Sequence, residues 1–202
     1  MKNAVRIGIF AVICAVLVVS FYYYLSRRTY SMEETDDQTK VSEMDEVLDR
    51  NLSSNYPATP RSVIKFYNQI VMLYHDTDTT DEQVESLADQ AMMLFDPELV
   101  QQNPRGTYIT AVKADIADYT EHERKILQTD VCDTDDVEYK TLGGNEMAYV
   151  VATYYLQEAS GNSHTYQKYA LRKNEDGQWK ILAFELCDKD GTPITSAASG
   201  NE

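Results

Sequence analysis

Basic residues are scarce over most of this 202-residue chain. Of its 18 lysines and arginines, four lie within the first 28 residues, which leaves 14 against all 33 acidic residues in the remainder. That remainder therefore carries a formal charge of −19. Nucleic acids and anionic lipid surfaces are bound mainly through lysine and arginine. We predict neither as a partner of this chain.

Cysteine is also scarce, and its spacing excludes the common zinc motifs. The three cysteines form no CxxC pair and no grouping with histidine at zinc-ligand spacing. Cys14 lies in an apolar segment, whereas Cys132 and Cys187 fall in the polar part of the chain. An exported domain could pair these two as a disulfide. Two separate thiols are the alternative, since sequence does not fix the distance between their Cα atoms.

Catalytic motifs are absent from the sequence. There is no GxSxG nucleophile turn, no HExxH metal helix and no phosphate-binding glycine loop. His75 is expected to end a helix, where an imidazole interacts favourably with the helix dipole. Neither His122 nor His164 has a defined partner that would orient it as a base. We predict a non-enzymatic protein with no catalytic residue, no cofactor and no metal.

One long apolar run is present near the N-terminus. Residues 7–25 contain no charged side chain, and as a helix these 19 residues would rise about 28 Å, close to the roughly 30 Å core of a bilayer. Tyrosines at positions 22–24 suit the headgroup region, and Arg27 and Arg28 would end the segment there. We predict a transmembrane helix at residues 7–26. A cleaved signal peptide is the alternative, but the run exceeds the usual h-region of roughly 7–15 residues and no A-x-A site follows.

The rest of the chain divides by composition. Basic residues are nearly balanced on the two sides of the apolar run, so the positive-inside rule decides little, and the short N-terminus favours export of the domain. We predict an extracellular domain attached to the cell membrane. The predicted parts are a cytoplasmic tail at 1–6, the membrane helix at 7–26, an acidic linker at 27–56, one domain at 57–188 and a flexible tail at 189–202.

Two periodicities divide the predicted domain. Its first half repeats apolar residues every three or four positions behind good helix caps, and its second half, from about Lys125, repeats them every two. Helices followed by an antiparallel meander predict an α+β fold. The helix starts lie at Thr59-Pro60, Thr80 with Gln83, and Asp96-Pro97, with a further helix around Ile109 to Tyr119; the turns lie at Gly143–Asn145, Ser160–Asn162 and Asp176-Gly177.

Two stretches of this domain resemble the nuclear transport factor two-like superfamily, also called the cystatin-like or SnoaL-like cone fold. TPRSVIKFYNQIVMLYHD resembles its first helix, which opens with a proline and carries an aromatic pair, and HTYQKYALRKNEDGQWKILAFELCD resembles its last hairpin. The resemblance covers residues 57–188 and implies a curved antiparallel sheet wrapped around the helices, forming a cone with an apolar mouth. The chain also resembles membrane-anchored proteins of unknown function from gut clostridial bacteria.

The resemblance leaves two functions open, because a fold does not fix a function. The first is a non-enzymatic binding or scaffold module whose partners are envelope proteins or a second copy. One membrane helix and an external cone domain are also the layout of cone-fold assembly factors of type IV secretion and conjugation machines. The second is a small-molecule sensor or a weak isomerase-like enzyme. An open cavity of roughly 300 Å³ or more with convergent polar groups favours the second, and a filled cone with an exposed apolar patch favours the first.

Five strand residues are the candidates for contact with a ligand or partner. A tyrosine offers apolar area with a polar tip, although packing across the sheet is the alternative. Glu185 is an acid within a strongly apolar strand and is expected to share a face with Trp179, Ile181 and Ala183, unless that end of the strand faces water. The candidates are Tyr149, Tyr155, Tyr169, Trp179 and Glu185.

Overall fold

The structure, a computed structural model, describes residues 43–194. The predicted cytoplasmic tail and transmembrane segment, and the linker up to residue 42, lie outside these residues. The chain divides into two compact units, Met1–Glu46 and Val47–Glu202. Of the first unit residues 43–46 are described, and they are helical. Within residues 43–194 no helix is both long and apolar enough to span a bilayer.

Four helices form the first half of the second unit, and three of them begin where the sequence predicts; the fourth begins at Arg105, ahead of the predicted stretch from Ile109. Thr59 and Thr80 each accept a hydrogen bond from the backbone N–H three residues on, and Ser62 or Gln83 accepts one in return from the cap. These two capping boxes fix where the helices start. Asp96 caps the third helix, and a proline occupies its first position. The helices are α1 (Pro60–Tyr74), α2 (Asp81–Leu94), α3 (Pro97–Gln102) and α4 (Arg105–Glu121).

Five strands form one curved antiparallel sheet, which confirms the α+β prediction. They are β1 (Lys125–Val131), β2 (Glu138–Leu142), β3 (Asn145–Glu158), β4 (Gly161–Lys173) and β5 (Trp179–Cys187). The first two both pair with β3 and amount to one strand interrupted by a 3-10 turn at Thr134–Asp136. The order then runs β3, β4, β5. Gly177 adopts a φ of 78° in the predicted Asp-Gly turn, where a residue with a Cβ would be strained.

The hydrophobic core lies between α1 and one face of the sheet, here termed the inner face. Alternate residues of β3 point towards the helices and are buried, among them Val150, Ala152 and Tyr154. Helix α1 packs against β1, β3 and β5 and buries nine of its fifteen residues. In contrast, α4 buries one residue of seventeen, Ile109. The sheet is thus tightly covered by α1, whereas α4 packs mainly against α2 and lies over the sheet with space between them.

Both ends of the predicted domain extend further than the sequence indicated. Val47 and Leu52 are buried, and Gln90 Nε2 donates hydrogen bonds to the carbonyl oxygens of Leu48 (3.0 Å) and Arg50 (3.2 Å). Part of the stretch assigned to the linker therefore packs with the domain. At the other end, residues 189–194 fall in the predicted flexible tail, yet they turn back along β5. The Ile194 N–H there donates to a β5 carbonyl at 3.0 Å.

A β-bulge between β4 and β5 changes which β5 side chains face the helices. Ile181 points to the inner face, and Leu182 is the extra residue of the bulge. The next inward-facing side chain is therefore Phe184. Glu185 pairs with Lys168 on the opposite, outer face and is exposed. The prediction that Glu185 shares a face with Ile181 is wrong, and the alternative, exposure to solvent, is confirmed.

Candidate functional site

An open cavity of about 360 Å³, here termed the inner cavity, lies between α1, α4 and the inner face of the sheet. Its walls combine apolar side chains such as Val71 and Ile126 with a few polar groups. Ligand pockets typically have this composition and a volume of roughly 300–1,000 Å³. Tyrosines dominate the lining: Tyr67, Tyr74, Tyr108, Tyr119, Tyr154 and Tyr169.

Helical spacing brings the lining residues of α1 and α4 together. Residues three, four or seven apart lie on one side of a helix. Tyr67, Val71 and Tyr74 therefore form one row along α1. Tyr108, Asp115 and other residues at the same spacings form the facing row on α4. The sequence predicts both helices, but the facing arrangement of these two rows becomes visible only once the helices are placed in the fold.

His75 and Asp115 meet at the edge of the inner cavity. His75 Nε2 lies 3.2 Å from Asp115 Oδ2; the histidine side chain is 5% exposed and the aspartate side chain 60%. The imidazole also stacks on Tyr119, with 4.1 Å between ring centroids. His75 Nδ1 is buried with no hydrogen-bond partner among the described residues. These contacts assign the hydrogen of a neutral imidazole to Nε2, which donates it to the carboxylate.

The sequence predicted a capping role for His75, and the structure adds a second one. His75 is the C-cap residue of α1. Its side chain also contacts Asp115, a residue that no motif in the sequence marks. No local signal links these two positions, because they lie 40 residues apart on different helices. His122 and His164 lie outside the lining of the inner cavity.

A buried chain of hydrogen bonds runs beneath the inner cavity. Tyr154 Oη lies 2.6 Å from both Asn68 Oδ1 and Tyr169 Oη, and the Tyr169 hydroxyl donates to Gln167 Oε1 at 2.7 Å. Each of these three hydrogen bonds needs one hydrogen, but the two tyrosine hydroxyls supply only two. Asn68 Nδ2, which is a donor, has no partner among the described residues. An Asn68 amide turned by 180° would supply the third hydrogen through Nδ2. The chain then donates in one direction, from Asn68 to the cavity-lining Gln167.

The tyrosine hydroxyls of the inner cavity are neutral at physiological pH. Burial raises the pKa of Tyr67 and Tyr169 well above the usual value, and it also raises the pKa of Tyr74, Tyr108 and Tyr154. Each hydroxyl therefore keeps its hydrogen. The cavity can offer these groups as hydrogen-bond donors or acceptors, but not as charges.

A larger, more polar cleft of about 800 Å³ adjoins the inner cavity. His75 and Tyr119 line both and so form the wall between them. Two of the three basic residues that line this cleft are already paired: Lys113 Nζ lies 3.1 Å from Asp81 Oδ2, and Arg124 Nε lies 3.0 Å from the Glu158 carboxylate. The larger volume of this cleft therefore does not make it the better candidate site. The inner cavity remains the candidate, because its polar groups are fewer and lie among aromatic rings.

The structure does not bring the five predicted candidates together. Tyr169 lines the inner cavity. Tyr149 lies on the outer face, where Lys140 Nζ and Lys168 Nζ lie 5.1 Å and 5.5 Å from its ring centroid. Tyr155 is exposed on the same outer face next to His164.

The other two candidates also lie away from the inner cavity. Trp179 is buried, and its ring packs against Tyr139 with 5.8 Å between centroids. Its carbonyl oxygen accepts a hydrogen bond from the Tyr56 hydroxyl at 2.8 Å, so this residue has a structural role. Glu185 is exposed on the outer face, as described above.

Cys132 and Cys187 are free thiols. They lie at the ends of β1 and β5, and β3 and β4 separate these strands. Three strand spacings of about 4.8 Å place them roughly 14 Å apart in a flat sheet, whereas bridged cysteines have Cα atoms about 4.4–6.8 Å apart. Burial raises the pKa of both thiols, which makes them poor nucleophiles. Within residues 43–194 there is no group of three or more histidine, cysteine, aspartate or glutamate residues that could hold a metal ion.

Comparison with known families gives one match. A family model described as "Domain of unknown function (DUF6715)" matches residues 1–184, about nine-tenths of the chain. The match includes the apolar N-terminal run together with the helices and most of the sheet. No curated protein matches the chain.

Proposed function

Because the chain belongs to this family, whose description assigns no activity, we propose a function from the geometry of the inner cavity. The chain is a small-molecule-binding module of the nuclear transport factor two-like cone type. Residues 7–26 hold it in the membrane, and its domain faces the outside of the cell. The observation that carries this proposal is the open cavity of about 360 Å³, on which tyrosine hydroxyls, Gln167 and Asp115 converge.

Binding inside the cavity is favoured over a pure scaffold role. A scaffold needs a filled cone, because packed side chains give a rigid surface at no cost in cavity energy. Here α4 leaves the space open, although denser packing by the same helix would close it. Phe184 is half-exposed at this cavity and provides an apolar edge over which a ligand can enter.

The contact between His75 and Asp115 favours a second candidate, an isomerase-like proton transfer. A histidine held by a carboxylate has the arrangement of a general base. However, the nitrogen that would accept a proton, Nδ1, is buried. A substrate would reach it only after the imidazole had turned. Binding without chemistry needs no such movement and is therefore the first proposal.

Ligand-observed NMR on the full chain in detergent tests the proposal. Saturation-transfer signals from a library of small fragments are expected with the wild-type protein. Ala111→Trp fills the inner cavity and should abolish these signals. Ala117→Trp adds the same side chain to the same helix, but in the neighbouring cleft, and should preserve them. Equal signals from both variants would reject the inner cavity as the binding site.

The proposed orientation has a separate test. Protease treatment of intact cells that carry a tag after Glu202 should remove the tagged domain. Protection in intact cells, with cleavage only after lysis, would place the domain in the cytoplasm. That result would reject the extracellular placement and leave the proposal of a ligand cavity standing.

A further inference from the structure

The inner cavity contains a negative charge without a matching permanent cation. Asp115 is the carboxylate that lines it, and its side chain is 60% exposed. Neither lysine nor arginine occurs among the described residues of the lining. The contact of Asp115 with His75 uses a single N–H donor of the imidazole. The negative charge of the Asp115 carboxylate can therefore interact with a ligand that enters the cavity.

Two other acidic residues nearby differ from Asp115 because each has an arginine partner. Asp89 and Asp118 each lie within 3.5 Å of an arginine nitrogen, at 2.6 Å for Arg105 Nε and 3.3 Å for Arg124 Nη1. Asp115 lies on the same helix as Asp118, yet it points to the cavity and has no such partner in the described part of the chain. Its charge also raises the pKa of the cavity-lining Tyr119, behind the larger effect of burial. Asp115 is thus the acid of this helix that faces the inner cavity without a lysine or arginine partner among the described residues.

Aromatic rings supply the other wall of the cavity. The ring of Phe184 is 47% exposed, and that of Tyr108 is half-buried on α4, whereas the Tyr119 ring is already in contact with His75 and Arg124. The faces of such rings attract cations. The protein already uses this contact elsewhere, since Lys140 and Lys168 lie over Tyr149. Carboxylate and ring faces together form a site that suits a positive charge with an apolar body.

We propose that the inner cavity binds an organic ammonium cation. The positive group lies near Asp115, and the apolar part packs against Phe184 and the tyrosine rings. This inference rests on the proposed function, because it names the ligand class of the same cavity. A net charge of −15 on the whole chain attracts cations towards it. An anionic ligand would instead meet an uncompensated carboxylate.

Three probes of one shape and different charge test the inference. Choline, 3,3-dimethylbutan-1-ol and 3,3-dimethylbutanoate share a bulky trimethyl head but are cationic, neutral and anionic. Binding to the full chain is measured by calorimetry in dodecylmaltoside, a detergent with an uncharged headgroup. Choline should bind about tenfold more tightly than the alcohol, as ring faces and a carboxylate favour a cation, and the anion should bind weakest.

The outcomes separate this inference from the proposed function. If the alcohol binds as tightly as choline, or the anion binds best, the cation inference is overturned while ligand binding stands. If none of the three binds, the cation inference is again overturned. The fragment measurement with the Ala111→Trp and Ala117→Trp variants tests independently whether the inner cavity binds any ligand.

Matched variants identify the residues that are responsible. Asp115→Asn should weaken choline binding roughly tenfold, the size expected for loss of a charge contact, and should leave the alcohol unaffected. Asp118→Asn removes the same charge from the same helix outside the cavity and should change neither. Phe184→Leu keeps the apolar contact without a ring face, so it should weaken choline alone. Equal weakening of all probes by Asp115→Asn would indicate a structural role and contradict the inference.

Discussion

The two longest helices differ in how they pack: α1 contacts β1, β3 and β5, whereas α4 packs mainly against α2. Helix α1 buries nine of fifteen residues, among them Val63, Ile64 and Ile70, which are fully inaccessible to solvent. Helix α4 is longer and buries Ile109 alone. The difference lies in the sequence: α1 has a wide apolar stripe, whereas α4 mixes apolar residues with charged ones around its circumference. Stability is thus concentrated at α1, and open space is left at α4.

This contrast explains where a site can form. A packed interface such as that of α1 leaves no space for a ligand, because protein interiors are as dense as organic crystals. A loosely covered region retains volume, exposed carboxylates and half-buried rings, and the inner cavity has all three. The tightly held helix supplies the fixed wall, with Tyr67 and Tyr74. The loosely held helix supplies Asp115 and the wall that can adjust.

The largest difference between the two sides is expected for their ion pairs. Arg172 Nε lies 2.9 Å from Asp96 Oδ2, and the Asp96 side chain is almost fully buried beside the packed core. Arg172→Ala leaves this buried carboxylate without its partner and should lower the free energy of unfolding by about 3–5 kcal/mol. Arg105, at the start of α4, pairs with the exposed Asp89. Arg105→Ala should cost less than about 1 kcal/mol.

Urea unfolding of the two variants, followed by the fluorescence of Trp179, measures this difference. The chain has one tryptophan, and it is buried at the start of β5, so its emission reports on the domain. Losses of equal size in both variants would show that the exposed ion pair at α4 contributes as much as the buried pair between Asp96 and β4. The contrast between the packed core and the start of α4 would then be wrong.

Truncation of apolar side chains should give the next largest difference. Ile70 on α1 is fully buried, and Ile70→Ala should lower the free energy of unfolding by about 2–5 kcal/mol through lost burial and a new cavity. Ile116 on α4 is half-buried beside the polar cleft. Ile116→Ala should cost about 1 kcal/mol or less, since it removes less apolar area from the interior. The same unfolding experiment applies, and a loss at Ile116 to match that at Ile70 would contradict a loosely held α4.

The helix starts and turns could be predicted because their signals are local. Thr59-Pro60, Thr80 with Gln83, and Asp96-Pro97 each mark a helix start within four residues. Asp176-Gly177 marks a turn in the same way, because the glycine provides the positive φ. Such features depend on neighbouring residues and not on the rest of the fold. The order of elements followed from them.

The candidate site could not be predicted because it depends on tertiary packing. His75 and Asp115 meet across two helices, and Tyr154 and Tyr169 join across two strands. The face of Glu185 was predicted wrongly because a single extra residue, Leu182, shifts the alternation of β5. No local pattern in the sequence marks that bulge.

Alkaline pH should lower the free energy of unfolding through the buried tyrosines and not through the exposed ones. Burial raises the pKa of Tyr154 above the value of about 10 that it has when unfolded. The contribution of this hydroxyl to stability is therefore complete below pH 10 and is lost as the pH rises towards the higher pKa of the folded state. Between these two values each such tyrosine lowers the free energy of unfolding by about 1.4 kcal/mol per pH unit.

Tyr154→Phe and Tyr155→Phe form a matched pair for this effect. Tyr154 is buried in the hydrogen-bond chain beneath the cavity, whereas its neighbour Tyr155 is exposed on the outer face. Tyr154→Phe should reduce the alkaline slope of the free energy of unfolding by the contribution of one tyrosine, and Tyr155→Phe should leave the slope unchanged. Urea titrations from pH 9 to 11 provide the measurement. Equal slopes in both variants would show that the Tyr154 hydroxyl already contacts solvent, which would contradict its burial beneath the inner cavity.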